Sequence, residues 1–509
     1  MKNNHRKDKK LPVEASQNTI GKGTVLFCIV IIVMLGFIIY ANSLTGKFLW
    51  DDEYSVVKNT YLKSWLYLPQ LFTHNFHVFA DRQSLFYRPM TSLTLFLDYR
   101  IWQLNPWGYH LTNIIFHILT ALAVYFLFAR ITMDSKVAFI GSILFVALPV
   151  HTEAVAYISG RADPIAAFLA LISFLFYIEF LENKKGSSLK GLASFFFLVA
   201  AIWSKEIAAV TPFLFLLYEI SFKKIKSITF MQRYRYFFLA ALTAMCFFIR
   251  YLVLLPVVRP MPQPSAGIGH LIITSTTVFA SYIRLLFLPL DLHMERASPD
   301  TSLPMLFFSA LVVIVFIFLI KRAYNKDKIV FFGLGWFCIG MLPILGIFPL
   351  NAPMAEHWLY IPSIGFILAM TQLCVSSFKD GVISKPVYRI IAMTILICIL
   401  AFYSYTTIVK NSDWKDAITL YNQTIKYNPN SARLYYNLAN EYRLLEQWDK
   451  AESSYKMAVH LMPNYTEAHI DLGNVYCVKG NIKDARKEYE TALSYEPDNE
   501  AARFNLEHL

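Results

Sequence analysis

Runs of about twenty apolar residues, the length a helix needs to cross hydrocarbon, recur along the first 410 residues, with charges collected in the short segments between them. The runs fall near 24–44, 111–131, 136–156, 162–181, 189–204, 206–222, 236–255, 270–290, 303–320, 329–348, 361–378 and 389–409. This pattern predicts an all-α, polytopic membrane domain over 24–410, preceded by a basic tail over 1–23. After Lys410 the long apolar runs stop, and Pro429, Pro463 and Pro497 follow one another at intervals of 34 residues, the tetratricopeptide period. Counted from these prolines, Tyr435, Leu438, Ala439, Tyr442, Ala451, Tyr455 and Ala458 align with His469, Leu472, Gly473, Tyr476, Ala485, Tyr489 and Ala492. Large residues at such positions form the core of a helical hairpin, and small ones let its two helices approach. Trp414, Ala417 and Tyr421 read as the second helix of a degenerate repeat whose first helix continues the last span. Two full repeats bury little core alone, so packing on the membrane domain or on a second copy is expected to complete them.

Charge then orients the membrane domain. The chain carries a net +12, but residues 411–509 hold 11 Lys and Arg against 15 Asp and Glu. The positive excess therefore lies in the short loops of the membrane domain, as in cytoplasmic loops, and nucleic-acid binding is excluded. ENKKGSSLK (182–190), KKIKSITFMQRYR (223–235), KRAYNKDK (321–328) and KDGVISKPVYR (379–389) are assigned to the inside with the N-terminus. Simple alternation fails at 270–290, which must start and end outside; with Pro289 near its end, it is expected to be re-entrant or broken, leaving about eleven spans. The basic start resembles a signal peptide, but the apolar run after it is long and lacks a convincing cleavage site, so it reads as a retained anchor. The six cysteines show no paired spacing and suggest neither a disulfide framework nor a metal site.

In this topology the costly polar residues gather on the outer side. Asp51, Asp52 and Glu53 follow the first span; His151, Glu153, Arg161 and Asp163 surround HTEAVAYISGRAD; Lys205 and Glu206 sit in WSKE; Glu356 and His357 sit in NAPMAEHWLYIPS, with Tyr360. Charges at membrane depth normally line a protein cavity. Four hairpins converging at one level suggest one site. The first outer loop, 45–110, is too long for a plain connector and contains two candidate interfacial helices, SWLYLPQLF and RPMTSLTLFLDYRIW. Other readings stay open at these positions: a solvated acidic lip for Asp51–Glu53, a structural ion network for the 151–163 residues, structural pairing for Lys205 and Glu206, and core packing for His110, Asn113 and His117.

Taken in order, FLWDDEYSVVKN, FYRPMTSLTLFLDY, PWGYHLTNIIFHIL, HTEAVAYISGRADP, WSKE, MAEHWLYIPSIGF and the C-terminal repeats resemble the GT-C glycosyltransferases. Within them the likeness is to the transmembrane and tetratricopeptide-repeat-containing protein O-mannosyltransferases and their prokaryotic relatives. The resemblance implies transfer of a sugar, mannose in that family, from a polyprenyl-phosphate carrier to a protein hydroxyl outside the cytoplasm. It places the catalytic carboxylate at Asp51 or Asp52, Asp52 being the expected base, and a donor-phosphate contact at Arg88. Substrate contacts are expected from Glu53, His110, His151, Glu153, Arg161, Asp163, Lys205, Glu206, Glu356, His357 and Tyr360.

The chemistry of the residues is compatible. A Ser or Thr hydroxyl needs a positioned carboxylate to accept its proton, and a phosphate leaving group needs Arg or Lys: Arg88 with Arg161 or Lys205. A single displacement inverts the anomeric centre. No Rossmann-like domain for a nucleotide sugar is evident, the lipid-linked sugar is the only small molecule implied, and metal dependence is left open. Expected partners are membrane lipid, an acceptor protein or glycan, and a protein partner on the repeats, which face outward from a prokaryotic inner membrane or into an endoplasmic-reticulum lumen. The rival readings are transfer to an envelope glycan or lipid, and a non-enzymatic receptor or transporter. A transporter would place charges along a midplane path and show symmetric halves; neither is visible here.

Overall fold

A computed structural model describes residues 21–75, 86–182, 187–223, 230–255, 267–297, 299–347, 350, 352–379 and 386–509. The expected basic tail lies outside them as far as residue 20. Among the described residues the chain is helices and turns without a strand.

Each apolar run becomes a helix. α1 (Lys22–Tyr40) leads into a chain of short turns, and α2 (Pro89–Trp102) follows before α3 (Pro106–Thr132) and α4 (Ser135–Ala147). Next come α5 (Thr152–Ala156), α6 (Ala162–Glu182), α7 (Ser187–Ser204), α8 (Thr211–Phe222), α9 (Phe230–Leu254), α10 (Ile268–Phe287), α11 (Leu303–Lys326), α12 (Lys328–Met341), α13 (Tyr360–Lys379) and α14 (Pro386–Asn411). Among the described residues, eight helices are long and apolar enough to cross a membrane, nine if α4 and α5 form one bent span; Ser188–Ser204 and Lys328–Ile344 are shorter apolar helices. The chain is thus an integral membrane protein.

Helix ends follow local chemistry. The Asn105 side chain accepts the Trp107 amide at the start of α3, beside Pro106, and Asp327 accepts the amides of Ile329 and Val330 at the start of α12. α12 and α13 approach closely because glycines face each other: a Cβ on Gly365 would lie 2.5 Å from the Gly333 carbonyl oxygen.

The two ends of the bundle can be followed by their contacts. Arg130, Glu182 and Lys223, from the ends of α3, α6 and α8, meet at one end. Arg235, near the start of α9, binds Glu219 of α8 there, and Gln372 of α13 donates to Asp327 ahead of α12 at 3.1 Å. The helix ends flanking all four basic loops therefore share this end. At the other end, Asn411 donates to the Ile39 carbonyl and to Asn42, and the Lys47 amide donates to the Lys415 carbonyl. α1 and α14 thus run parallel, and the long first loop and the C-terminal repeats emerge together.

The interruption expected at 270–290 lies elsewhere. α10 is unbroken, Pro289 comes after its last residue, and the break is between α4 and α5–Pro149, bent by 54°. The physical reason is placement: Pro149 follows Leu148 inside a run, disfavouring helix at Leu148, whereas Pro289 only stops a helix already finished. α10 passes beside the α12–α13 connection. α9 finishes beside Glu206, and residues 291–296 pack against Glu356 and Lys410. Along its length Ser275 donates to Leu345 and Tyr282 pairs with Ala355, both on the α12–α13 connection.

Beyond α14, α15 (Ala417–Ile425) packs against the first of two stacked helical hairpins, α16 (Ala432–Leu444) with α17 (Trp448–Leu461) and α18 (Thr466–Val478) with α19 (Ile482–Tyr495), closed by α20 (Glu500–Glu507). Ala439, Ala451, Tyr455, Leu472, Tyr476, Ala485, Tyr489 and Ala492 form their buried core. The repeats do not stand alone. Leu49, Ala156, Tyr157 and Met294 of the membrane domain form one buried cluster with Trp414, Leu420, Tyr421, Leu434 and Leu438.

Candidate functional site

The acidic turn after α1 is held by its own middle residue. Asp52 is 0% exposed; one carboxylate oxygen accepts the Leu49 amide at 2.9 Å, the other accepts the Ser159 amide at 2.9 Å and the Ser159 hydroxyl at 2.5 Å. Ser55 lies 2.8 Å from the same hydroxyl. Burial pushes the Asp52 carboxyl up to about 7, with the Ser159 and Leu49 hydrogen bonds opposing and the Asp51 charge adding to the rise. Asp52 therefore joins the turn after α1 to the 157–161 turn and keeps no oxygen lone-pair face open to the surface.

Asp51 is half-buried, and its amide donates to the Tyr157 hydroxyl at 3.2 Å. Trp50 before it has φ of 49°, the left-handed region uncommon for a residue with a side chain. Packing holds it there: the Trp50 ring stacks on Tyr157, Tyr157 stacks on Trp414, and the Arg433 guanidinium lies over the outer face of Trp50. Asp51 thus sits where the membrane domain meets the first repeat. Glu53 is exposed enough to pair loosely with Lys58, at 3.4 Å.

A cationic group forms at the same end of the bundle. Arg88, just ahead of Pro89 and α2, donates to Glu206 at 3.0 Å through Nη2 and at 3.3 Å through Nε. Arg250 of α9 donates to the other Glu206 oxygen at 2.6 Å. Lys205 is buried and bound to Asp163 at 2.6 Å. Thr91 donates to the Ser204 carbonyl at 3.0 Å, tying α2 to the end of α7.

A further polar group borders the α12–α13 connection. His357 lies 2.8 Å from Glu153, and Glu356 accepts from Arg296 at 2.7 Å and from the His293 amide at 2.6 Å. Arg296 and Arg284 both reach Asp291.

Several expected contacts lie instead in the packed interior. Arg161 is fully buried, with its guanidinium on Asp98 at 2.6 Å, the Tyr109 carbonyl at 3.0 Å and the Ile158 carbonyl at 3.3 Å. Each of its three nitrogens donates to a protein acceptor in the interior, as in a strut between segments. His151 bonds Ser363 and the Phe145 carbonyl, Tyr360 bonds His117, and both are enclosed by helices. His110 is buried against the Gly46 backbone, where a Cβ would come within 2.7 Å of its ring. Asn113 donates to the carbonyls of Val155, Tyr157 and Ile158 and so shapes the turn that receives Asp52. The reason is shared: these side chains point from α3, α4–α6 and α13 toward one another, where packing excludes an outside ligand.

Sequence reasoning missed Ser159, Tyr157, Asp98, Arg250, Arg296 and Asp291. Ser159 and Tyr157 lie within HTEAVAYISGRAD and Asp98 within the loop motif, but Arg250 sits inside an otherwise apolar run and carried no signal except its cost there. Among the described residues no group of three or more His, Cys, Asp or Glu is placed to hold a metal ion.

The tetratricopeptide repeat family matches residues 420–453 and 443–506. The chain is similar to Protein O-mannosyl-transferase F38B6.6 of Caenorhabditis elegans, with 26% identity over 84% of this chain and 62% of the relative. It is also similar to human Protein O-mannosyl-transferase TMTC3, with 26% identity over 79% of this chain and 48% of the relative, and to human TMTC4, with 24% over 80% and 62%. The chain thus spans about half to three-fifths of the length of these curated relatives. Among solved structures, ArnT from Cupriavidus metallidurans bound to undecaprenyl phosphate aligns with 11% identity and a TM-score of 0.36, over 82% of this chain and 81% of that one. The homologues of this chain are protein O-mannosyl-transferases, and its C-terminal helices are tetratricopeptide repeats.

Proposed function

We propose that the protein is an inverting GT-C glycosyltransferase that moves one sugar, mannose by analogy with its relatives, from a polyprenyl-phosphate carrier to a Ser or Thr hydroxyl of a protein on the non-cytoplasmic face. The observation that carries this reading is the segregation of groups. A half-buried carboxylate on a fixed turn and a cluster of guanidiniums share one end of the bundle, while the helix ends beside the basic loops share the other. Positive loops mark the cytoplasmic side, so the acidic turn, the cationic cluster and the repeats face away from it.

In the proposed reaction the acceptor oxygen attacks the anomeric carbon as the bond from that carbon to the carrier phosphate breaks. The hydroxyl proton passes to a carboxylate, and the electron pair leaves with the phosphate, whose growing charge Arg88 stabilises. The base is Asp51. Asp52, the expected base, already accepts three hydrogen bonds in a buried position and acts by fixing the turn on which Asp51 is presented.

The test is transfer from radiolabelled polyprenyl-phosphate mannose by the purified protein in nanodiscs, offered protein and glycan acceptors in parallel. Asp51→Asn should lower the rate by about 10²- to 10⁴-fold, the usual weight of a general base. Asp52→Asn should retain measurable transfer. The opposite ranking, in folded variants, returns the base to Asp52. Labelling of glycan alone replaces the protein acceptor, and no transfer to either refutes the reading.

A further inference from the structure

α16 lays one face along the outer end of the membrane domain. Leu434 and Leu438 are buried in the cluster with Leu49, Tyr157 and Met294, and Tyr442 packs against its edge. Leu445 comes next on this face: at about 100° per residue it falls within about 20° of Leu434. Its amide donates to the Glu441 carbonyl at 3.2 Å, so the helical register still holds there. Yet Leu445 is 56% exposed, and Leu444 beside it 69%. The apolar stripe begins under protein and runs out past the described parts of the chain that cover it.

Where the stripe runs out, two spans leave the membrane. Glu441, one turn before Leu445, lies in the field of Glu53, Asp416 and Lys47. Lys47 stands just past the span Lys22–Thr45, and Asp416 just past the span Pro386–Trp414. Ile38 of α1 and Tyr405 and Val409 of α14 are exposed, so the surface that meets hydrocarbon reaches the outer ends of both helices. The second repeat extends the same edge. Val478 and Ile482 follow Leu444 and Trp448 at the 34-residue period, and both are exposed; stacked repeats bring such positions side by side. Charge does not mark this edge, because Arg443 and Lys450 are offset by Glu446 and Asp449 in the first turn. What repeats there is aliphatic surface.

We propose that the turn edge of the repeats, formed by Leu444, Leu445, Val478 and Ile482, rests in the headgroup region of the bilayer beside α1 and α14. Its partner is the lipid surface, met by continuing the face that already packs on the membrane domain. The exposed side chains of Glu446, Asp449 and Lys450 set the depth: the turns lie at the boundary, with their charges kept in water. The repeats are then held twice, by the buried junction of Trp414 with Leu438 and by lipid, and lipid supplies cover that two repeats alone lack. This anchoring is independent of the transferase reading and of the side of the membrane on which the repeats lie.

The full chain in nanodiscs of neutral phosphatidylcholine, with a bimane label on a single cysteine in a Cys-free background, tests this. Leu445 and Val478 are exposed, so Leu445→Cys and Val478→Cys leave the fold intact. Their labels should be quenched about twofold or more by lipid with a doxyl group close to the headgroup, and less by lipid with it at the chain end, as for side chains about 5–10 Å into the boundary. A label at Asn464→Cys, in the exposed turn between α17 and α18 at the opposite edge, should respond to neither lipid and stay open to aqueous iodide. With Leu444→Ser and Leu445→Ser together, the label at Val478 should shift toward the iodide response of the one at Asn464. Labels at Leu445 and Val478 as open to iodide as that at Asn464 overturn the proposal. Shielding that persists in detergent with the mass of a dimer assigns the edge to a second copy, and shielding that appears only with an added acceptor protein assigns it to a polypeptide; either result overturns the lipid assignment. Doxyl quenching that requires anionic lipid makes charge the anchor and overturns the role of the aliphatic strip.

Discussion

Asp52→Ala would leave the buried amide of Leu49 without an acceptor, at a cost of about 1–3 kcal/mol, and would free the part-buried amide of Ser159. Asp52 also makes stability depend on pH. Its carboxyl is pushed from 3.8 to about 7, so the folded chain keeps a proton that the unfolded chain has lost in this window. The stability contributed by that proton is full below about 4 and is lost as pH rises through about 7. Asp52→Asn cannot titrate, so its thermal midpoint in nanodiscs should fall less steeply between pH 4 and 7 than that of wild type; an unchanged slope would show that the carboxyl titrates normally. The acidic pair was legible in sequence because carboxylates at a membrane exit are costly. The different settings of its members were not. Asp51 and Asp52 differ through the left-handed turn at Trp50 and through Ser159, more than 100 residues away. Arg161 misled for a related reason: a buried arginine with three protein acceptors and one poised for phosphate look alike as letters.

Helices α12 and α13 show how an element depends on two absent side chains. Gly365→Ala would press its methyl against the Gly333 carbonyl and force the helices apart, at about 1–3 kcal/mol for overpacking. Gly269→Ala in α10 meets nothing within 4 Å and is the matched control. Thermal unfolding in nanodiscs should separate the two variants, and equal midpoints would remove the close approach from the stability of the bundle. At this scale the sequence was most informative, since every apolar run became a helix and the proline period located the repeats. It was least so where a proline had two meanings. Pro149 bends a run and Pro289 follows one, and only the neighbours of each decide which. The turns over 65–72 were read as one interfacial helix; they are two short pieces, Trp65–Tyr67 and Pro69–Phe72, because Pro69 starts the second.

For the whole molecule, the proposed orientation rests on the shared end of the basic loops. Single cysteines in a Cys-free background at Lys326 and at Glu446 should label from opposite sides of intact membrane vesicles, Lys326 from the cytoplasmic side. Labelling of both from one side would refute the parity that puts both ends of α10 at the end with the repeats. That parity comes from counting charges alone. Sequence could not show that the repeats cover the acidic turn, because the ring stack of Trp50, Tyr157 and Trp414 joins three segments with no mutual periodicity.

The junction of α1 with α14 also sets an order of events during synthesis. Asn42 donates to Ile408 and Ser412, Asn411 returns hydrogen bonds to Ile39 and Asn42, and these partners are separated by more than 360 residues. At ribosomal speeds of about 5–20 residues per second, the first helix waits on the order of half a minute for its partner. Until then Leu49 and Tyr157 lack the cover of Trp414 and Leu420, and the Lys47 amide lacks its carbonyl. The acidic turn is among the first polar segments to be made and among the last to be finished, so a half-made chain would hold its carboxylates without the surroundings that set Asp51 apart from Asp52.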